Sequence, residues 1–342
     1  MSGRDEGLRV AVVGATGAAG GTLLRILEER GFPVAILTPL ASARSAGIEV
    51  TFRGASLRVA EATPEALKGV DMCFLAAGAG TARELAPEVA AAGGVAIDKS
   101  SAYRADPAVP LVVPEVNPDA LQGHRGIVAN PNCVATPLSV TLAPLQRAHG
   151  LRHVTVATYQ AASGAGRALL AELIEQERAS AAGEEPGASV YPHVLHGNVV
   201  PGGWAMEGDD TDEERKVVAE TRRVLGRLDL ALSVTTVRVP VPVAHSAAVW
   251  VELEEPVSPE RARELFARAP GIRVVDDAAN QRYPTPRQAA GGDEVLVGRV
   301  RSDLGQAGAL AFFWSCDNLR KGAALNAVQV AELLTERARV LS

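Results

Sequence analysis

Apolar positions in the first third of the chain fall in short runs separated by glycine-rich turns. Leu8-Arg9-Val10-Ala11-Val12-Val13 is too short for a helix and has no polar face, the pattern of a parallel strand covered on both sides. Gly14 to Gly21 then makes a tight turn, and residues 22–30 bring Leu23, Leu24, Ile26 and Leu27 to one side at helical spacing. Residues 33–38 read as the next strand. Strand and helix signals keep alternating through residues 56–60, 70–76, 81–92, 95–98 and 126–129. That alternation predicts a doubly wound parallel α/β sheet of the Rossmann type.

Beyond residue 133 the texture changes. Strand-like segments at 153–160, 231–240, 247–254, 294–301 and 309–316 are interrupted by few helices, which predicts a second α/β domain on a mainly antiparallel sheet. Asn318 is placed to cap a long last helix from Leu319 to about Arg337, whose apolar residues Ala324, Leu325, Val328, Val330 and Leu333 give it a face to dock on the first domain. The expected division is therefore residues 1–132 plus 319–342 for a dinucleotide-binding domain, and 133–318 for a catalytic domain. Residues 181–212, rich in Gly, Pro and charge, read as a mobile or interface loop.

Composition narrows the classes without choosing among them. With 342 residues, 47% hydrophobic and 22% charged, the chain can bury one large core or two moderate ones, and two domains are expected. A net charge of -6 provides no global attraction to nucleic acid or to an anionic membrane. No apolar run approaches the roughly 20 residues of a membrane crossing, and Met1 to Gly7 lack the apolar core of a signal peptide, so a cytoplasmic protein is expected. Cys73, Cys133 and Cys316 show neither CxxC nor Cys/His ligand spacing, which predicts free thiols and no metal site.

Two places carry candidate chemistry. The turn Gly14-Ala15-Thr16-Gly17-Ala18-Ala19-Gly20 joins a strand to a helix, so its backbone N–H groups and the helix dipole can meet a pyrophosphate; the alternative is a packing turn. The second strand ends Ile36-Leu37-Thr38 without the acid that binds a ribose 2′-hydroxyl. Ser42, Arg44 and Ser45 follow instead and suit a 2′-phosphate, which points to NADP, unless Arg44 is only a solvated surface residue.

The second place is Asn130-Pro131-Asn132-Cys133, between an apolar strand and a helix-like run, where a helix N-terminus favours a thiolate. Cys73 and Cys316 lie inside apolar segments and read as core. A thiolate attacking an aldehyde calls for a base as hydride leaves, and histidine can serve near neutral pH. Of six histidines, His124, His149 and His153 are in turn or strand-start contexts and His193 and His196 in the loop, whereas His245 follows the turn after Arg238-Val239-Pro240-Val241-Pro242. His245 is the candidate. Gly164-Ala165-Gly166 suit a close backbone approach to cofactor or substrate, or a simple turn.

Taken in order, Gly14-Ala15-Thr16-Gly17, Ser42 to Gly47, Asn130 to Cys133, Thr158-Tyr159-Gln160 to Gly166, Arg238 to Val241 with His245, and Asp317-Asn318 to Gln329 closely resemble the bacterial aspartate-semialdehyde dehydrogenase family over nearly the whole chain. The resemblance implies phosphate-dependent interconversion of L-aspartate 4-semialdehyde and 4-phospho-L-aspartate with NADP, through a thioester on Cys133, in a homodimer. It also implies that Gln160 orients the reacting group, that Arg238 and Glu213 bind the substrate carboxylate and ammonium, and that Arg104, Asn132 and Lys216 hold phosphate. Ser163, Gly164 and Asn318 would lie on the cofactor side. The chain departs from the family pattern at Lys99, at Val134-Ala135-Thr136 after the cysteine, and at Ala244 and Ala247. N-acetyl-glutamyl-phosphate reductase, which should lack a counterpart of Glu213, and a catalytically silent nucleotide-binding relative are the competing readings.

Overall fold

The computed structural model describes residues 7–341, with side chains as far as residue 336; the expectation about residues 1–6 falls outside them. The chain divides into two compact units, Met1–Asn132 with Ala323–Ser342, and Cys133–Gly322.

The first unit opens with β1 (Leu8–Val13), α1 (Ala18–Glu29) and β2 (Val34–Ala41). β2 runs three residues further than the sequence suggested, because Pro39 and Leu40 stay in parallel register with Val12 and Val13. The region around residues 56–60 is split between an antiparallel hairpin, β3 (Glu49–Phe52) with β4 (Ala55–Arg58), and the short β5 (Ala60–Glu61). Then come β6 (Met72–Leu75), α2 (Ala79–Ala91), β7 (Val95–Asp98) and β8 (Ile127–Ala129). The six sheet strands lie in the order β5-β2-β1-β6-β7-β8 and all pair in parallel. Strand order therefore reverses between β1 and β6, which opens a crevice at their carboxyl ends, the binding place of doubly wound sheets. Leu23, Leu24, Ile26 and Leu27 of α1 are buried, as their spacing required.

The second unit contains α3 (Ala135–His149), β9 (Leu151–Tyr159), α4 (Arg167–Ala181), the small hairpin β10 (Met206–Glu207) and β11 (Asp210–Thr211), and α5 (Asp212–Leu225). These are followed by β12 (Ala231–Thr235), β13 (His245–Leu253), α6 (Pro259–Arg268), β14 (Ile272–Val274), α7 (Pro286–Ala289), β15 (Val295–Ser302) and β16 (Leu310–Cys316). The sheet order is β12-β9-β13-β16-β15-β14. Its three central pairings are antiparallel and the two outer ones parallel, so the sheet is mixed with an antiparallel middle. α3 is buried continuously from Ala135 to Ala143, since α5 and α6 pack on it as well as the sheet.

α5 shows how local sequence fixes an element that carries site residues. Thr211 accepts from the backbone N–H of Glu214, and the Glu214 carboxylate accepts from the N–H of Thr211, a capping box that sets where the helix begins. Gly226, left-handed at φ 66°, ends it.

Two expectations need correction. Residues 181–212 are anchored rather than mobile: Glu172 accepts from the backbone N–H groups of Ser189, Val190 and Tyr191, and Tyr191, Leu195 and Val200 are buried with Ala162, Leu169 and Leu173. Asn318 does not cap the last helix. Asp317 Oδ1 accepts from the N–H of Leu319 at 2.8 Å and of Arg320 at 3.0 Å, a π-helical turn spans Arg320–Ala324, and α8 (Leu325–Leu341) follows. Ala324, Leu325, Val328 and Val330 join the core of the first unit with Val10, Leu23 and Phe74. Among the described residues no helix is long and apolar enough to cross a membrane.

Candidate active site

Cys133 stands two residues ahead of α3, half-buried, where the helix N-terminus favours a negative sulfur. Its Sγ lies 3.3 Å from Nε2 of His245, the first residue of β13. The other two thiols are buried: burial pushes Cys73 up to about 12, and burial with the neighbouring Asp317 pushes Cys316 upward too. A nucleophilic thiolate needs a favourable field and access: Cys316 pairs with His245 across the strands but is buried, whereas Cys133 is half-buried with His245 Nε2 against its sulfur.

The histidine is held from behind. Nδ1 accepts the backbone N–H of Ala161 at 2.9 Å, and the ring is fully buried. Burial first, then the positive charge of Arg238, hold its pKa well below the usual imidazole value, so the ring is neutral at physiological pH. A Cβ on Gly164 would come within 2.8 Å of the ring's Cε1 and 3.0 Å of an Arg238 nitrogen, so only glycine leaves room for both side chains. Ala244, just before the histidine, is left-handed at φ 77°. Its N–H donates to Asn318 Oδ1 at 2.9 Å, and the Ser163 hydroxyl donates to the same oxygen at 3.1 Å. Asn318 thus braces the turn that presents His245, and its own Nδ2 is buried without a partner among the described residues.

Next to this pair a cavity of about 510 Å³ is lined by Gly164, Leu169, Tyr191, Trp204, Glu213 and Arg238 among others. The Arg238 guanidinium is buried, donates to the Ala161 carbonyl at 2.7 Å, and lies over the Trp204 ring at 4.6 Å. Its Nε has no partner among the described residues. Glu213, buried in the first turn of α5, lines the same cavity. A cation and an anion on one wall-set match a small molecule carrying both a carboxylate and an ammonium.

Gln160 is buried one residue from the histidine's anchor and is bridged to Arg238 through the backbone, while its amide reaches Thr158 at 3.4 Å. Lys216 behaves otherwise: it shares α5 with Glu213, but its ammonium turns to Asp212 at 2.5 Å. Tyr191 and Trp204 were missed in the sequence. The signal was present in Gly202-Gly203-Trp204, an aromatic residue in a glycine turn, and Gly203 is left-handed beneath the Tyr191 ring where no Cβ fits.

In the first unit, Gly14 is left-handed at φ 86° and closes the β1–β6 crevice so tightly that a Cβ would meet the Ala76 carbonyl at 2.6 Å. A Cβ on Gly20 would run into the Gly14 carbonyl. The turn from Gly14 to Gly20, with Thr16, Gly17, Ala18 and Ala19 half-buried and Ala15 and Gly20 buried, is packed tightly between β1 and the start of α1, the place where doubly wound folds meet a pyrophosphate. Ser42 and Arg44 are exposed and Ser45 half-buried in a single turn directly after β2. Arg104 is fixed by the carbonyls of Asn130 at 2.9 Å and Lys99 at 2.7 Å, and Asn132 is buried. Lys99 itself is half-buried. Asn326 of α8 donates to Asn130 Oδ1 at 2.8 Å and to the Val112 carbonyl, which steadies the strand end leading to Asn132.

Comparison with known proteins agrees with this architecture. Residues 9–124 match the family model described as semialdehyde dehydrogenase, NAD binding domain, and residues 142–321 the one described as semialdehyde dehydrogenase, dimerisation domain. The aspartate-semialdehyde dehydrogenase of Synechocystis sp. is 44% identical, covering 96% of this chain and 98% of that protein. That of Aquifex aeolicus is 45% identical over the same shares. The chain belongs to the aspartate-semialdehyde dehydrogenase family. A crystal structure of aspartate semialdehyde dehydrogenase II complexed with ASA from Vibrio cholerae superposes with a TM-score of 0.94 at 38% identity, covering 97% of this chain and 99% of that one. Cys133 falls between the two matched regions, so its place in the family rests on the full-length relatives. Of the departures from the aspartate-semialdehyde dehydrogenase pattern, Ala244 has a visible cost, because it keeps a Cβ in a left-handed conformation that glycine adopts without strain.

Proposed function

We propose that the protein is a cytoplasmic, homodimeric, NADP-dependent aspartate-semialdehyde dehydrogenase that interconverts L-aspartate 4-semialdehyde and 4-phospho-L-aspartate. The observation that carries the reading is the contact of Cys133 Sγ with His245 Nε2 beside a cavity lined by both Arg238 and Glu213. Cys133 is the nucleophile that carries the aspartyl group as a thioester. Arg238 clamps its α-carboxylate and Glu213 receives its ammonium, a pairing that an N-acetylated glutamyl substrate would leave unused at Glu213. Gln160 orients the reacting carbonyl. Arg104, Asn132 and Lys216 are assigned to the phosphate group, and Lys216 must leave Asp212 to reach it.

The dinucleotide would be held by Gly14, Thr16, Gly17, Ala18, Ala19 and Gly20 at its pyrophosphate and by Ser42, Arg44 and Ser45 at its 2′-phosphate, with Ser163, Gly164 and Asn318 toward its nicotinamide. When bound, NADPH supplies the hydride that reduces the thioester carbon. The nearest-neighbour chemistry of Arg44, an exposed guanidinium at a strand end without an acid, favours NADP over NAD. Arg44→Ala should raise the KM for NADP by about tenfold and leave that for NAD nearly unchanged, as expected for loss of one charge-assisted contact.

The deciding experiment follows NADPH formation by purified protein given L-aspartate 4-semialdehyde, with and without inorganic phosphate. Turnover that requires both phosphate and NADP is expected. Turnover without phosphate, or none at all with NADP bound, would reject the acyl-phosphate reaction.

A further inference from the structure

The segment that lines the substrate cavity is tied to the residue it covers. Val200 and Arg238 exchange backbone hydrogen bonds at 2.9 Å and 2.8 Å, an isolated antiparallel bridge, so the chain leaves residue 200 alongside the arginine. It then folds around Tyr191, whose hydroxyl donates to the Gly202 carbonyl at 2.6 Å while left-handed Gly203 passes beneath the ring where no Cβ fits. That turn delivers Trp204, half-buried, over the Arg238 guanidinium at 4.6 Å, with the Tyr191 ring at 6.0 Å. Arg238 is only 3% exposed, its Nη1 donates to the Ala161 carbonyl at 2.7 Å, and its Nε has no partner among the described residues. Gly164 comes so close to Nη1 that a Cβ would lie 3.0 Å from it.

A guanidinium with an indole over one face takes an anion at its edge, in its own plane. A carboxylate fits there, because it is flat and its two oxygens match two N–H groups. A phosphate also brings two oxygens to the edge, but its remaining oxygens stand out of that plane. One of them would press on the indole face, where the ring quadrupole is negative. The charges around the cavity point the same way. Among the described lining residues Arg238 is the one cation, and Glu213 on the same cavity repels a dianion. Burial keeps the Tyr191 hydroxyl protonated and the His245 ring neutral, and the Lys216 ammonium is turned to Asp212.

We propose, resting on the function proposed above, that Trp204 determines specificity at this site: it makes Arg238 a slot for a flat carboxylate and keeps tetrahedral phosphate out. The need follows from the reactants. 4-Phospho-L-aspartate carries a carboxylate at one end and a phosphate at the other, and inorganic phosphate is itself a reactant. An arginine open on both faces would accept either group, since a guanidinium fork pairs with phosphate as well as with carboxylate. Phosphate in that place would seat the acyl phosphate end for end, with its acyl carbon away from Cys133, or would block the carboxylate of the semialdehyde. Covered by Trp204, the arginine admits one end of the substrate only.

The test asks whether phosphate competes for the carboxylate place once the indole is gone. The probe is inorganic phosphate at constant ionic strength with NADP saturating, and the readout is kcat/KM for L-aspartate 4-semialdehyde. In the parent this ratio should not fall as phosphate rises from limiting to saturating. In Trp204→Ala, or in Trp204→Val if circular dichroism shows the alanine variant unfolded, it should fall by about fivefold or more, the scale of one lost aromatic contact on a cation. Trp204→Phe keeps an aromatic face and should restore the parent behaviour. Merely structural damage would lower the ratio at every phosphate concentration and create no such dependence. A fall in the parent, or none in the folded alanine or valine variant, would overturn the proposal. Calorimetric titration with L-aspartate, with and without inorganic phosphate, reads the same slot without turnover. Phosphate should leave the dissociation constant of the parent unchanged and raise that of Trp204→Ala by about fivefold. No binding of L-aspartate to the parent would overturn the slot, whereas binding without turnover of the semialdehyde would strike the functional reading alone.

Discussion

The crevice of the first unit and the thiol site of the second are built from different material. Around Gly14 and Gly20 the turn is backbone packed on backbone, shaped by the places where a Cβ is forbidden. Around Cys133 the site is side chain, and each group is held by another from a distant part of the chain: His245 by Ala161, the turn before His245 by Asn318, Arg238 by Ala161 and Trp204. The first kind of site needs a short stretch of glycines. The second needs the whole sheet in register before any of its groups is useful, so small errors in its support should show in kcat, while errors in the first should show in cofactor binding.

The sharpest way to break this contrast is to remove the sulfur. Cys133→Ala should lower the phosphate-dependent rate by at least roughly 10³-fold while dinucleotide affinity stays unchanged, since nucleophilic catalysis is lost as a whole. Cys73→Ala, in the buried sheet of the first unit, should leave the rate intact and lower the melting temperature. Calorimetric titration with NADP and single-turnover assays read both, and a Cys133→Ala protein that still forms semialdehyde would end the nucleophile assignment.

A smaller effect separates the two glycine cradles. Gly164→Ala drives a methyl group against His245 and Arg238, and should lower kcat by up to about 10²-fold, the loss that a misplacement of about 1 Å can cause. The NADP dissociation constant should change far less, and comparable loss in both would mean that Gly164 serves the cofactor first.

Acid should probe the second site through stability. The folded-state pKa of His245 lies below its unfolded value of 6.5, so below that pH the unfolded chain binds a proton that the folded chain refuses. Stability from this group is full above about pH 6.5 and falls as the pH drops toward the folded-state value. The melting temperature of the parent should decline more steeply over this window than that of His245→Gln. Parallel curves would show that other groups dominate the acid response.

The smallest effect concerns Ala244. Replacing it with glycine removes left-handed strain of roughly 1–2 kcal/mol against a glycine entropy cost of roughly 0.5–1 kcal/mol, for a net gain of roughly 0.5–1 kcal/mol. A rise of a degree or two in melting temperature is expected; a fall would mean that the surrounding structure depends on the alanine methyl.

The same contrast explains what the sequence disclosed. The Rossmann sheet was legible because each of its signals is local: an apolar run, a glycine turn, a helical stripe in Leu23, Leu24, Ile26 and Leu27. Cys133 and His245 could be singled out from the turns around them, yet nothing in the chain told that Ala161 would reach the ring, since that contact spans β9 and β13. Tyr191 and Trp204 sat in a stretch whose glycines and prolines read as loop, because four hydrogen bonds to the Glu172 carboxylate tie it down from outside and a fifth, from Tyr191 Oη to the Gly202 carbonyl, closes it from within. Asn318 looked like a helix cap by its position after a strand; Asp317, one residue earlier, accepts the N–H groups of Leu319 and Arg320 instead, and Asn318 braces Ala244.

The first unit is interrupted, and α8 reaches its core only at the very end of the chain. On the ribosome this makes its completion a matter of timing. The pocket between Val10, Leu23 and Phe74 that Leu325 and Val328 will fill stays open while all of the second unit is synthesised. At typical rates of translation that interval is on the order of ten to forty seconds. During it the nascent sheet presents an apolar groove, so the moment at which α8 emerges sets how long that face stays uncovered.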